Sequence, residues 1–354
     1  MFLQAVPDSK NNIYKLYKIY ILYMKKNIAL VTGGYSKELL ISYKSSSNIY
    51  NNIDSEKYNS YIIYINKDGW YYMNENNEQI DVNKNDFSIE INKEKIIFDL
   101  VFICIHGTPG EDGKLQGYLD CLNIKYTSSS SINSAIMCNK YYTKIIASQN
   151  GIHVANSLKL YRNNDLIEQK EKIILNLKLP LFIKPNNGGS SIGTNIVKNN
   201  NEIIKSLEIA FEEDNEVLVE EFIDGREFTV GVMKLGGEII VFPITEIISE
   251  NIFYNYEAKY EGKNINVTPA NIDKIISDKL IETSKKIYNI FDCKGVIRID
   301  YIYNDKIKEP FILEINSIPG QSKVSIIPKQ INSMGWSLKE FYSMIIEESL
   351  LNNK

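Results

Sequence analysis

Histidine is almost missing from this chain of 354 residues: His106 and His153 are the only two. A mechanism resting on a histidine general base, or a metal site built from imidazoles, has little to draw on. Cysteine is scarce as well. Cys104, Cys121, Cys138 and Cys293 form no CxxC pair and three lie in apolar contexts, so reduced, packed thiols are expected rather than disulfides or a zinc site. No apolar run reaches the ~18 residues needed to cross a bilayer. Neither sign of charge dominates. Lys+Arg number 40 against 44 Asp+Glu, a net charge of -4, which gives no electrostatic case for nucleic acid or an anionic membrane as partner. The sequence has no internal repeat and no GxxxxGKS/T phosphate loop.

What is present is an ordinary globular composition, 44% hydrophobic and 24% charged, over a length that usually carries two or three cores. Residues 13–23 are aromatic and basic but lack the apolar stretch and small-residue cleavage site of a secretory signal, so a cytoplasmic protein is expected. Met24-Lys25-Lys26-Asn27 runs directly into an apolar strand and reads like a natural start. Residues 1–23 are expected to be a tail or an artefact of start-site choice.

The strand at 28–32 stops at Gly33-Gly34 and is followed by a helical stretch from about 36 to 51, the opening of a βαβ unit. Runs at 61–65 and 98–105 read as neighbouring strands. Ligands of such sheets sit beyond the carboxyl ends of the strands, so Gly33-Gly34 and His106-Gly107 are expected to meet at one crevice. A second region, from about 126, holds a helix near 138–150 and a strand ending at Lys184-Pro185. A third contains apolar strands at 217–222, 227–233, 239–242, 296–302 and 311–315, with helices near 273–291 and 338–351. The expected division is 24–125, 126–216 and 217–354.

Lys184 ends its strand and opens onto Asn186-Asn187-Gly188-Gly189-Ser190-Ser191-Ile192-Gly193. Glycines that let backbone N–H groups approach, hydroxyls that donate and a nearby ammonium suit phosphate. Alone, such a loop also describes a surface turn. Further on, period-two alternation puts Glu314 and Asn316 on one strand face and Arg298 and Asp300 on another. If those strands are neighbours, Asp300, Glu314 and Asn316 converge as hard oxygen donors of the kind that hold Mg²⁺ on nucleotide phosphates. Glu220 or Glu221, after an apolar strand, is placed to accept from an adenosine, and Glu227 opens the next strand.

Four stretches in this order carry a resemblance: His106-Gly107-Thr108-Pro109-Gly110-Glu111-Asp112-Gly113; Lys184-Pro185 with Gly189-Ser190-Ser191; Tyr256-Glu257-Ala258-Lys259-Tyr260; and Glu314-Ile315-Asn316 with Pro319-Gly320. Over roughly residues 24 to 350 the chain resembles the D-alanine–D-alanine ligases. The resemblance implies an α/β and α+β molecule, an ATP-grasp fold preceded by a Rossmann-like N-terminal domain. It implies that Glu38 holds the ammonium of the first D-alanine, with His106 nearby and Ile41 beside the substrate. Lys140 and Lys184 fall on ATP phosphates, with Ser191 and Lys259 as further nucleotide contacts. Glu220 and Glu227 fall on adenine and ribose, with Glu221 and Ile223 lining the base. Asp300, Glu314 and Asn316 match the ligands of Mg²⁺ (or Mn²⁺), a pair of ions. Arg298 and the N–H of Gly320 match the groups that stabilise a tetrahedral intermediate. Ser325 matches the contact to the second substrate's carboxylate, with Ile326 beside it. Ser190 and Tyr260 match partners of Glu38. A homodimer is implied.

The chemistry is coherent without the family. ATP turns a poorly electrophilic carboxylate into an acyl phosphate, an amine attacks, and catalysis is positioning and charge neutralisation, with no need for histidine. Two other readings stand beside it: a ligase using D-lactate as second substrate, and a nucleotide-binding module without ligase activity. Glu38 is followed by Leu39-Leu40 where charged residues are common, and Gln321-Ser322-Lys323-Val324 follows Gly320 in place of the usual Met-Thr-x-His, which bears on fine substrate preference.

Overall fold

The structure, a computed structural model, describes residues 25–189, 192–249 and 264–351. Residues 1–24, on which the expected tail falls, lie outside them, as do Ser190, Ser191, Lys259 and Tyr260.

The first sheet is built from β1 (Lys26–Gly33), β2 (Tyr58–Asn66), β3 (Gly69–Met73), β4 (Gln79–Asp81) and, past the small hairpin of β5 (Ile89–Ile91) and β6 (Glu94–Ile96), β7 (Leu100–Ile103). Its order is β4-β3-β2-β1-β7, with β1 parallel to both β2 and β7. A central parallel strand is covered on both faces, and β1 shows it: Ala29 and Val31 pack with Ile63, Val101 and Phe87, while Ile28 and Leu30 pack with Ile49, Phe102 and Phe341. Helix α1 (Leu39–Asn52) follows β1.

Helix α2 (Lys114–Cys121) leads to α3 (Ser131–Cys138) and α4 (Lys140–Gln149). The helix expected near 138–150 is α4, and α3 directly before it is a further helix that the sequence reading did not separate out. Asn139 leaves helical backbone, and its side chain accepts from the N–H of Tyr142, capping α4 so that Lys140 stands in its first turn.

The second sheet has strands β8 (Ser157–Tyr161), β9 (Leu181–Pro185), β10 (Asn195–Val197) and β11 (Glu216–Glu221), ordered β10-β9-β11-β8 and antiparallel throughout. One face is sealed by α5 (Leu166–Asn176) and α6 (Ile203–Glu213). Their Ile173, Leu207 and Ala210 pack on Ile183, Val217 and Val219 in a core whose members all come from this block. The strand expected at 217–222 therefore belongs here and not to the third sheet. An apolar strand pattern carries no record of its partner, and the change of sheet falls between Glu221 and Arg226.

The third sheet comprises β12 (Arg226–Leu235), β13 (Glu238–Val241), β14 (Thr245–Ser249), β15 (Asn264–Val267), β16 (Val296–Asn304) and β17 (Glu309–Asn316). Its order is β15-β14-β12-β16-β17, with β13 on β12. Phe228, Val230, Ile297, Ile299 and Tyr301 turn toward α7 (Lys274–Ile290), whose Leu280 and Ile287 complete that core. The other face carries Thr229, Gly231, Arg298 and Asp300. Part of it is covered by α8 (Ile326–Ser333), and α9 (Leu338–Leu351) ends the described chain. A Cβ on Gly231 would lie 2.4 Å from the Phe242 ring and 2.8 Å from Ile327, so glycine is what lets α8 settle there. Among the described residues no helix is long and apolar enough to cross a membrane.

Candidate active site

The polar face of the third sheet brings the expected acidic cluster together. In the register of β16 and β17, Asp300 faces Glu314 and Arg298 faces Asn316. The Arg298 guanidinium grips Asp300 with two bonds, Nε to Oδ1 at 2.9 Å and Nη2 to Oδ2 at 2.8 Å. Asn316 Nδ2 donates to Asp300 Oδ2 at 3.1 Å, and the Thr229 hydroxyl donates to Oδ1. Glu314 Oε2 lies 3.3 Å from the Lys140 ammonium, which also donates to the carbonyl of Gly188 in the glycine loop. Burial disfavours the charged lysine, but Glu314 overcomes it and Lys140 is held above the ordinary lysine range. Among the described residues no three His, Cys, Asp or Glu side chains form a group that could hold a metal ion by themselves. A cation here has two carboxylates and an amide oxygen to draw on, all hard donors suited to a magnesium-like ion that shares its ligands with phosphate.

The second sheet brings a buried ionic group. Lys184 and Glu220 share the face opposite the α5–α6 core. Glu220 Oε2 is 2.7 Å from Lys184 Nζ, and its Oε1 is 2.7 Å from Lys144 Nζ on α4. Burial alone raises a carboxyl, yet Lys144 and Lys184 hold Glu220 down at about 2. Glu221 points the other way, as period two requires. Its carboxylate takes the N–H of Lys178 at 2.8 Å and the Asn156 amide at 2.9 Å. The side chains of Glu220 and Glu221 therefore lie on opposite faces of β11, and what Glu221 can offer on Glu220's side is backbone. Ile223 is half-buried just beyond, and Glu227 lies on the Thr229 face of β12.

The N-terminal sheet supplies the third wall. Gly33-Gly34 and His106-Gly107 do meet: Tyr35 N–H donates to the Thr108 carbonyl at 2.8 Å, and the Ser36 hydroxyl to the His106 carbonyl at 3.0 Å. Glu38 sits at the entry to α1, where Ile41 N–H bonds its carbonyl, and a Cβ on Gly189 would stand 2.8 Å from its Oε2. The loop thus passes directly over that carboxylate. His106 is buried, with Nε2 3.3 Å from the Ser45 hydroxyl and Nδ1 3.8 Å from Glu111. A Cβ on Gly320 would lie 2.9 Å from Ser325 Oγ and 3.9 Å from the His106 ring. Ser325 opens α8 with its hydroxyl 2.7 Å from that of Ser322, and Ile326 is the helix's first residue. A cleft of about 750 Å³ is lined by Glu38, Gly107, Asn139, Gly188, Gly189 and Ile192.

Three groups at the site have no role in the motif reading. Lys144 lies one helical turn after Lys140, a spacing visible in the sequence. Thr229 needs the β12–β16 register to be found. Glu111 is quoted in the HGTPGEDG stretch and accepts the N–H of Gly107 at 3.0 Å. Burial, and then the carboxylates of Glu38 and Glu314, push its carboxyl up to about 8 from the usual 4.5. The sign follows. Between about 4.5 and 8 the unfolded chain gives up this proton while the folded chain keeps it, so folding stability falls as pH rises. Glu111→Gln is expected to flatten that slope, by no more than a few kcal/mol over the window. Urea melts of both proteins across pH 5 to 8 check it, and parallel slopes would show that Glu111 ionises as an ordinary carboxylate.

Comparison with known proteins matches this geometry to a family. Residues 27–129 match the model described as D-ala D-ala ligase N-terminus, and residues 146–347 the model described as D-ala D-ala ligase C-terminus. A D-alanine–D-alanine ligase of Flavobacterium johnsoniae is 42% identical over 325 residues, covering 92% of this chain and 99% of that protein. The crystal structure of VanG D-Ala:D-Ser ligase from Enterococcus faecalis superposes with a TM-score of 0.82 at 31% identity, covering 92% of this chain and all of that one. A D-alanine–D-alanine ligase from Bacillus anthracis complexed with ATP gives 0.72 at 27% identity, covering 92% of this chain and 97% of that one. The fold is thus ATP-grasp behind a Rossmann-like N-terminal domain. With both family models matched in order and relatives aligned nearly end to end, the chain belongs to the D-alanine–D-alanine ligase family.

Proposed function

We propose that this enzyme joins two D-alanines into D-alanyl-D-alanine, a peptidoglycan precursor, with ATP converted to ADP and phosphate. The observation that carries the reading is the meeting of Lys140, Arg298, Asp300, Glu314 and Asn316 at the end of one sheet, beside Glu38 and His106.

In this reading Glu38 holds the ammonium of the first D-alanine and leaves its carboxylate to attack the γ-phosphate. Lys140 and Lys184 neutralise the phosphates, and Glu220 and Glu227 accept from adenine and ribose. Asp300, Glu314 and Asn316 would hold Mg²⁺ or Mn²⁺, which supplies charge neutralisation on the transferring phosphate when bound. The amine of the second D-alanine then attacks the acyl phosphate, and the oxyanion that develops is met by Arg298 and the Gly320 N–H. The start of α8 offers backbone N–H groups and the Ser325 hydroxyl to the second carboxylate. Ser190 and Tyr260 are assigned beside Glu38 on the resemblance. Tyr260 is where relatives that take D-lactate carry Phe, and that supports an amine as the second nucleophile. The family resemblance also supports a homodimer working in the cytoplasm, with functional segments at 24–125, 126–216 and 217–354.

The test is product identification after incubation with ATP, Mg²⁺ and D-alanine, repeated with D-lactate in competition. D-alanyl-D-alanine with stoichiometric ADP is the expected result. A depsipeptide as main product would assign the second reading, and no ATP turnover the non-catalytic one.

A further inference from the structure

The resemblance gives Lys144 no role, yet it is the most enclosed charged group of the site, with a side chain only 3% exposed against 13% for Lys184. Its place is peculiar in charge as well as in depth. Lys140, Lys144 and Lys184 stand near one another with Glu220 and Glu314 between them, three ammoniums against two carboxylates. Burial pushes Lys144 below the ordinary lysine range, against the pull of Glu220. A positive charge in that position is costly to maintain, and the Lys184–Glu220 pair alone would be neutral without it.

The cost has a use once the two lysines are compared. Lys184 sits on β9 at the mouth of the glycine loop and is assigned to a phosphate, but here its ammonium lies on Glu220. To reach a phosphate it must leave that carboxylate. If Lys184 were the only partner, leaving would strand a buried, fully ionised Glu220, and the nucleotide would have to offset that cost. With Lys144 fixed on the other oxygen, Glu220 keeps a counter-ion throughout.

We infer that Lys144 is a positioning residue, a resident counter-ion of Glu220 that releases Lys184 to the phosphates of the nucleotide. The inference rests on the nucleotide reading of the site and adds to it a separable consequence: Lys144 should matter far more for the phosphates than for the nucleoside, because without phosphates Lys184 stays on Glu220.

The experiment is calorimetric titration of the full-length protein with ATP and, separately, with adenosine, for wild type, Lys144→Met and Lys144→Arg. ATP affinity is expected to fall at least about tenfold in Lys144→Met, with adenosine affinity changed by less than about threefold. Lys144→Arg keeps the charge and should restore most of the ATP affinity. In a Lys184→Met background the Lys144→Met change should no longer alter the ratio of the two affinities, because there is no ammonium left to release. Should Lys144→Met not fold, Lys144→Gln carries the same expected split. Equal losses for ATP and adenosine, or no loss for either, would overturn the inference while leaving the nucleotide reading in place. A wild-type protein that binds neither ligand would overturn that reading, and this inference with it.

Discussion

Glu314→Gln is expected to lower turnover by more than ~100-fold at saturating ATP and Mg²⁺, while leaving the fold in place. The substitution keeps size and shape and removes one negative charge where two carboxylates face each other across β16 and β17. In the proposed role the charge acts on the transferring phosphate, whose negative charge is redistributed in the transition state, and each such contact supplies on the order of 2–4 kcal/mol. The structural cost is smaller because two effects oppose. Repulsion with Asp300 is relieved, but Lys140, whose side chain is 11% exposed, loses its carboxylate partner. The net change in folding stability should stay within about 2 kcal/mol. Steady-state kinetics and a urea melt on the same preparation check both halves. Turnover within tenfold of wild type would remove Glu314 from the reacting centre.

Arg298→Gln should cut kcat by roughly 10²–10³-fold while the KM for ATP moves much less. A guanidinium has five N–H donors, and here Nε and Nη2 grip Asp300. That grip fixes the plane of the group without the substrate's help, which is the kind of preorganisation that favours a developing oxyanion over the ground state. Asp300 keeps Thr229 and Asn316 as partners in the variant, so the strand pairing should survive. A rise in the KM for ATP with kcat unchanged would show that Arg298 holds the ground state and not the intermediate.

The acidic end of the site was legible because it depends on one rule. Alternation along apolar strands puts Arg298 with Asp300 and Glu314 with Asn316, and only the pairing of the two strands had to be assumed. The same rule, applied one strand earlier, puts the side chains of Glu220 and Glu221 on opposite faces of β11. Lys144 was hidden for another reason. A lysine between threonine and isoleucine on a helix reads as solvated, and its burial is set by a carboxylate 76 positions later on a strand of another sheet. The strand at 216–221 had the right pattern and the wrong sheet, since pattern fixes a face and not a neighbour.

The block of β8–β11 with α5 and α6 has its small core to itself, whereas the N-terminal sheet shares apolar side chains with β12, α8 and α9. What joins the block to its surroundings near the site is polar: Lys144 to Glu220, Lys140 to the Gly188 carbonyl, Lys37 on α1's lead-in to Glu213 at 2.7 Å. Of these only Lys37–Glu213 is open to water, but none brings apolar burial, so the free energy of detaching this block is expected to lie below that of unfolding the molecule. A ligand bridging Lys184 on one side and Lys140 on the other adds RT ln(1 + [L]/Kd) to that local opening energy. In the proposed function that ligand is the nucleotide, and cohesion between the two halves of the catalytic centre becomes a function of its concentration, supplied by the substrate where the protein's own apolar packing stops.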